Sequence, residues 1–524
     1  MPLFPRKDRK YQVSYDVHTW VGVIVGLLLY TMFFMGAIAL VYDPLAHWEE
    51  PAHHSVPAAS MVDWWEAIPN DGDDVERFSM SFPSTDYETG APTATVWRDG
   101  ERTDLVWRDG AWQSKGSHAA SFLFNLHYLY HPAASWMMYV AGFVSMGMLL
   151  AQLTGLVIHL RDLWTQLDQF RPKLPTRAVW IDLHKVTAVI GLPFQFLFAY
   201  TGAILCLGSI LLASVAVPLY GGDLDRLMTA FIERPPPIDA EDARAPTLAL
   251  TSLLDRATAA APGLVPRFVA VQKPGQTVAE VRVGGARSEH DDQRVNVFLE
   301  GATGTVRQVE GLEPPTTSRR VLEWTFGLHF AHFGGSGTLA AYMLLALATC
   351  ATILSGIAIW LAKQRRATHW STGVLRGLTT GVGAAVPLAS ATILLASRVL
   401  PWNLDNRTTW LEAVFVVTLG VTGAWSLADR NERRVWGVML GLTAVVCLAM
   451  PLAQATVTPA GLFGASPIED VVAVDVGFLL CGVGFGLATI AVVRPLRRRP
   501  ATAEPTHVDA IDTSDVSDAT VAHG

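Results

Sequence analysis

The chain has 524 residues, of which 51% are hydrophobic and only 16% charged, with 17 tryptophans. That composition is too apolar and too poor in charge for an ordinary soluble domain, so a bilayer is the expected solvent. The formal charge of -8 says little about partners, because the acidic residues gather between apolar runs and in the tail. Cys206, Cys350, Cys447 and Cys481 lie inside apolar runs with no CxxC, so neither a disulfide framework nor a zinc or iron-sulfur site is implied.

Crossing roughly 30 Å of hydrocarbon takes about 20 apolar residues in a helix. Eight runs qualify, at about 19–42, 136–160, 186–218, 339–362, 372–398, 410–428, 435–455 and 472–493. The third is long enough to tilt or to end in a non-spanning turn. Basic residues collect at alternate connections: Lys7, Arg9 and Lys10; Arg161, Arg171, Lys173 and Arg177; Lys363, Arg365 and Arg366; Arg430, Arg433 and Arg434; Arg494, Arg497, Arg498 and Arg499. By the positive-inside tendency this places both termini in the cytoplasm. The basic start and Ala37-Ile38-Ala39 also resemble a cleaved signal, but the run is longer than an h-region of roughly 7 to 15 residues.

The expected organisation follows in chain order. A cytoplasmic N-terminus (1–18) leads into the first helix (19–42) and an extracytoplasmic segment (43–135). Two helices with a short cytoplasmic loop (136–218) precede a second extracytoplasmic segment (219–338), a fourth helix (339–366), a C-terminal four-helix membrane extension (367–499) and a disordered cytoplasmic tail (500–524). The fold class expected is an all-α membrane bundle of about eight helices with two small α+β extracytoplasmic modules. In the second segment Thr247 to Ala261 has a helical pattern ending before Pro262-Gly263. Stretches 267–272, 277–283 and 295–300 alternate as strands do. In the first, strands are predicted at 93–97 and 105–107, each followed by Arg-Asp-Gly. A weak internal repeat of helix, module and helix is suggested.

The histidines carry the chemistry, because ionisable side chains at membrane depth are costly and tend to be functional. They fall into two layers. His18, His159 and His184 belong at the cytoplasmic edge; His127, His131, His329 and His332 belong at the outer edge. Neutral imidazole is a good axial ligand for haem iron, and two facing helices can each offer one nitrogen to the same porphyrin. Two layers would divide a core roughly 30 Å thick into shorter electron hops. A histidine at a helix end can also sit at the interface, bonded to a headgroup or carbonyl. Gly22 and Gly26 form a GxxxG, and Gly142, Gly155, Gly191, Gly202 and Gly356 punctuate other helices, allowing close helix contact or approach of a flat ligand. There is no GxGxxG between strand and helix, no Walker A lysine and no HExxH. His53-His54, near Glu49 and Glu50, could bind a metal ion or be solvated.

On DVHTWVGVIVG at His18, LHYLYH at His127, TGLVIHLRDLWTQLDQFRPK at His159, WIDLHKVTAVIGLPFQFLFAYTG at His184 and LHFAHFGG at His329, the chain resembles the PepSY-associated transmembrane family. The likeness runs over about residues 8–366. The resemblance implies four core helices, outer PepSY-type modules, bound haem b, two per chain, and reduction of iron delivered as a chelate. It carries ligand roles only to His18, His127, His159, His184 and His329, one more than two six-coordinate haems need. The pairs expected are His159 with His184 inside and His127 with His329 outside, leaving His18 to contact a propionate or replace His159. Gln195 stands where many relatives are expected to have histidine, and the four helices after residue 371 show no charge pair.

The expectation is therefore an inner-membrane oxidoreductase of bacterial type that reduces ferric iron or a ferric siderophore on the outer side. No flavin or nicotinamide domain is visible, so the donor would be a quinol, a reduced flavin or a reductase. Membrane lipid is an expected partner and nucleic acid is not. Arg77, Arg98, Arg108, Arg267 and Arg282 are outer charges that could attract an anionic chelate or be solvated. The alternatives are a membrane-anchored PepSY regulatory module without redox activity, and a transporter for the iron chelate, against which the apolar helix centres argue.

Overall fold

The computed structural model describes residues 8–49, 61–68, 75–82, 92–108, 110–114, 119–159, 176–223, 226–227, 235, 238, 243–286, 294–311, 317–331, 333–364, 369–401 and 404–494. The expectations for His53-His54, His332, the loop of Arg161, Arg171 and Lys173, and the tail lie outside the described residues.

Helix α1 (Arg9–Ala39) starts at Asp8, whose carboxylate accepts the Lys10 N–H at 2.7 Å. It gives way at Leu40 to the short α2 (Tyr42–Glu49). After α3 (Met61–Glu66) and strands β1 (Val75–Ser81), β2 (Thr93–Arg98), β3 (Glu101–Arg108) and β4 (Ala111–Ser114), the chain returns through α4 (Ala119–His127) into α5 (Met137–His159). The second half opens with α6 (Thr176–Tyr220), then α7 (Leu250–Ala260), β5 (Val265–Gln272), β6 (Glu280–Ala286), β7 (Arg294–Glu300) and β8 (Val306–Glu310). It closes with α8 (Thr317–His329) and α9 (Gly335–Lys363). Four further helices follow: α10 (Trp370–Val399), α11 (Arg407–Ala428), α12 (Glu432–Val457) and α13 (Glu469–Val493).

Among the described residues eight helices, α1, α5, α6 and α9 to α13, are long and apolar enough to cross a bilayer. The chain is a multi-pass membrane protein, mostly helical, with an antiparallel sheet. Large apolar side chains such as Ile24, Leu344, Val421 and Leu480 are exposed, as a lipid-facing surface requires. The third run is one unbroken helix of 45 residues, about 67 Å long, rather than a span ending in a turn.

α1 packs on α5 and α9, and α6 packs on the same two. α1 and α6 therefore stand across the diagonal of a four-helix ring. α10 joins α11 and α12, α12 joins α13, and this block docks on α1 through α10 and on α2 through α13. Small residues let α10 approach closely: a Cβ on Gly377 would lie 3.1 Å from the Leu427 backbone, and the Tyr30 hydroxyl donates to the Gly383 carbonyl at 2.7 Å.

The sheet corrects one expectation. Instead of two separate modules, both segments form a single eight-stranded antiparallel sheet in the order β4-β3-β2-β1-β5-β6-β7-β8. The seam is β1 against β5, with Phe78 opposite Val271 and Met80 opposite Val269. Left apart, each half would present an unpaired inner edge; pairing satisfies both rows of backbone groups. Phe78, Met80, Val269, Val271, Val281 and Val283 are buried on one face, together with Trp64 and Trp65 of α3 and Leu250 and Leu253 of α7. Asp99 and Gly100, with φ of 49° and 76°, make the tight β2–β3 hairpin that Arg-Asp-Gly foretells. β1, β4 and β8 were not legible in the sequence. Phe78 is 2% exposed and meets Trp65 at 5.3 Å between ring centroids. Phe78→Ala is expected to destabilise the sheet by about 3–5 kcal/mol, read as a lower thermal midpoint of the full chain in detergent.

The order α1, four strands, α4, α5 recurs as α6, four strands, α8, α9. This is the repeat hinted at by the sequence, and it places β1 and β5 at the centre of the sheet and α1 and α6 across the bundle.

Candidate functional site

Inside the four-helix ring, four histidines meet as two pairs. His18 on α1 and His184 on α6 approach across the diagonal with ring centroids 6.1 Å apart, inclined at 77°. At the sheet side, His127 at the end of α4 and His329 at the end of α8 stand 6.0 Å apart at 38°. Each short helix ends on its histidine, and two residues on Leu129 (φ 57°) and Ala331 (φ 55°) turn the chain away in matching left-handed conformations.

One ring nitrogen of each histidine is anchored. Nδ1 of His18 lies 2.7 Å from the Ala151 carbonyl, that of His184 2.8 Å from the Thr352 carbonyl, and that of His127 2.8 Å from the Met32 carbonyl. A carbonyl can only accept, so these Nδ1 atoms donate and each Nε2 keeps its lone pair. His329 Nδ1 lies 2.8 Å from Thr201 Oγ1, whose hydroxyl already donates to the Leu197 carbonyl at 2.7 Å. The hydroxyl oxygen therefore accepts, and the same tautomer results. An Nδ1–H anchored in this way is how metal-ligating imidazoles are oriented. Burial holds His127 below the usual histidine pKa, and burial with the neighbouring His127 pushes His329 down to about 3, so both are neutral at pH 7.

Glycines lie against these rings. A Cβ on Gly36 would come within 2.8 Å of His127 Cε1, one on Gly155 within 3.0 Å of His18 Cε1, and one on Gly356 within 3.0 Å of His184 Cε1. Gly202 is looser, at 4.0 Å from His329 Cε1. Gly36 follows His18 by eighteen residues and Gly202 follows His184 by eighteen. Eighteen residues are about five helical turns, so each helix shows a histidine and a glycine on one face roughly 27 Å apart. That spacing is the signal sequence reading missed, as it missed Thr201 and Gly36. Gly142 and Gly191 serve packing instead, facing Leu207 and Gln195.

The other histidines are placed differently. The ring opposite His184 is His18, not the expected His159, because α1 rather than α5 lies diagonal to α6. His159 ends α5 one turn beyond Gly155, near enough to interact electrostatically with His184. His131 accepts the Ala133 N–H at 3.2 Å and its Nε2 lies 3.6 Å from Glu412. Gln195 is 4% exposed on α6 between the layers. Arg77 and Arg282 stack on Trp97 and Phe268 at 4.2 Å and 5.0 Å, on the sheet face away from α3 and α7.

A metal about 2 Å from one nitrogen of each of two opposed imidazoles sets their ring centroids about 6 Å apart, as both pairs are. Among the described residues no group of three or more His, Cys, Asp or Glu could hold a bare ion. Two neutral nitrogens per layer, with glycine beside the rings, suit a metal that brings its own equatorial donors and a flat ligand. Thr201→Val would strand the His329 N–H at a cost of about 1–3 kcal/mol. It is expected to lower the thermal midpoint of the full chain in detergent relative to wild type.

The family model for the PepSY-associated TM region matches residues 15–363, which span all four histidines and the sheet. The uncharacterized protein PA4219 of Pseudomonas aeruginosa is 27% identical over 348 residues, covering 64% of this chain and 85% of that one. The matched stretch ends at the last residue of α9, so the four C-terminal helices lie outside it. With two thirds of its length under that match, the chain belongs to the PepSY-associated transmembrane family.

Proposed function

We propose that this protein is a haem-containing oxidoreductase of a bacterial inner membrane that carries electrons across the bilayer and reduces ferric iron or a ferric siderophore on the sheet side. The observation that carries the reading is a pair of imidazoles about 6 Å apart, each anchored through Nδ1, at each of two depths, with no cluster of three or more His, Cys, Asp or Glu that could hold a bare ion among the described residues. When bound, two b-type haems would supply one-electron transfer between the two faces. His18 and His184 would hold the group at the far side, and His127 and His329 the group at the sheet side. The four Nδ1 anchors fix the ring planes.

Both termini are assigned to the cytoplasm because Arg9, Lys10, Lys363, Arg430, Arg433, Arg434 and Arg494 flank helix ends on the side away from the sheet. The electron donor would be a quinol, a reduced flavin or a reductase meeting the His18–His184 layer. Arg77, exposed on the face of the sheet away from α3 and α7, carries positive charge that would attract an anionic chelate, and iron leaves once reduced because the softer ferrous ion is held less well by oxygen donors.

The deciding experiment is the visible spectrum of the purified chain, oxidised and dithionite-reduced, with pyridine haemochrome quantification. Two b-type haems per chain, reoxidised on adding a ferric chelate, are expected. A haem-free chain after expression with ample haem would sink the reading in favour of an anchored regulatory module.

A further inference from the structure

The four C-terminal helices bury a charged cluster where they meet the core. Arg398 of α10 is 5% exposed, and Glu49 of α2, Gln454 of α12 and Asp475 of α13 are fully buried. The Arg398 guanidinium donates to the Trp48 carbonyl at 3.3 Å, to Gln454 Oε1 at 3.2 Å and to the Glu49 carbonyl, and lies 4.9 Å from the centroid of the Trp48 ring. Gln454 Nε2 donates to the same Trp48 carbonyl at 3.0 Å, and Trp48 Nε1 donates to Asp475 Oδ1 at 2.8 Å. Three helices thus grip the last two residues of α2, whose terminal carbonyls have no partner within the helix.

The side chain of that last residue reaches further. Glu49 accepts the Ala119 N–H at 2.9 Å and the Ala120 N–H at 2.7 Å, the first two backbone donors of α4. An anion there satisfies donors that the helix itself cannot, and it complements the positive end of the helix dipole. α4 is nine residues long, and its last residue is His127. A rigid nine-residue helix passes any shift at its first turn to its last.

We infer that Glu49, held by Arg398, is a positioning residue for His127, so that the C-terminal helices set the sheet-side histidine pair and leave the far pair alone. This rests on the haem reading above. Among the described residues the brace is found in one half of the repeat: α6 runs unbroken to Tyr220, and the position matching Glu49 by the His18–His184 offset is the exposed Val215. Buried charged groups add little net stability over apolar packing, whereas fixing a position is their better-attested use.

The test uses the full chain in detergent: wild type, Glu49→Gln, Arg398→Gln and Asp475→Asn, with His127→Ala marking the sheet-side component. Hydrogen–deuterium exchange over residues 119–127 and a potentiometric titration of the two haem components are read together. Glu49→Gln and Arg398→Gln are expected to raise exchange of that segment about tenfold, the factor that losing one charge-assisted hydrogen bond brings. They should also move the midpoint of the component that His127→Ala removes while the other stays in place. Asp475→Asn, which keeps an acceptor for Trp48, should act in the same direction and less, and it serves if a stronger variant fails to assemble. Unchanged exchange, or equal movement of both components, overturns the inference. A wild-type chain without haem sinks the haem reading instead, and the exchange comparison then still decides whether Glu49 holds α4.

Discussion

On the haem reading proposed above, alanine at His127 or His329 is expected to lower the haem content from two to one per chain and to abolish electron transfer from the far face to a ferric chelate. Alanine at His18 or His184 should remove the other haem. The reason is geometric: the two pairs lie roughly 27 Å apart along α1, and each pair places one ring on either side of the gap. His159→Ala separates the two pairings. Because His18, not His159, stands 6.1 Å from His184, His159→Ala is expected to keep both haems. Retention of both haems in His18→Ala, with loss in His159→Ala, would show that the far layer is ligated otherwise.

On the same reading, Gly36→Leu and Gly356→Leu are expected to cost one haem each with all four histidines intact. An added Cβ would sit 2.8 Å from His127 Cε1 in the first and 3.0 Å from His184 Cε1 in the second, inside van der Waals contact. Neither ring can yield freely, since its Nδ1 is fixed at 2.8 Å from a backbone carbonyl. Leucine at Gly208 or Gly420, where nothing lies within 4 Å, is the control and should leave both haems in place. Haem-to-protein ratio after purification is the measurement. Two haems in Gly36→Leu would mean that the ring can move aside and that the glycine serves helix packing alone.

The split between local and distant information runs through every part of the molecule. The eight spans were legible because a bilayer imposes a local rule, and α10 and α13, for example, are apolar over the length that rule demands. The β2–β3 hairpin was legible because Asp99-Gly100 accepts positive φ, which most residues resist. The depth of the histidines followed from counting along each helix. Even the glycines opposite them were present as a spacing of five turns, unread because a glycine in a membrane helix has commoner explanations.

What the sequence by itself determined is therefore set by short-range chemistry: membrane spans, their count, the two layers of histidine and the family. Tertiary structure alone decided the rest. The partner of His184 depends on which helices stand diagonal in the ring, a property of packing between segments more than a hundred residues apart. The joining of two expected modules into one sheet depends on β1 finding β5, and no local pattern announces an edge's partner. The charges of the C-terminal helices looked unrelated in the sequence because Arg398 meets the Glu49 carbonyl across 349 residues of chain. A buried arginine can be tolerated only where folding brings acceptors to it, and that condition is satisfied by the assembled bundle, not by any stretch of its sequence.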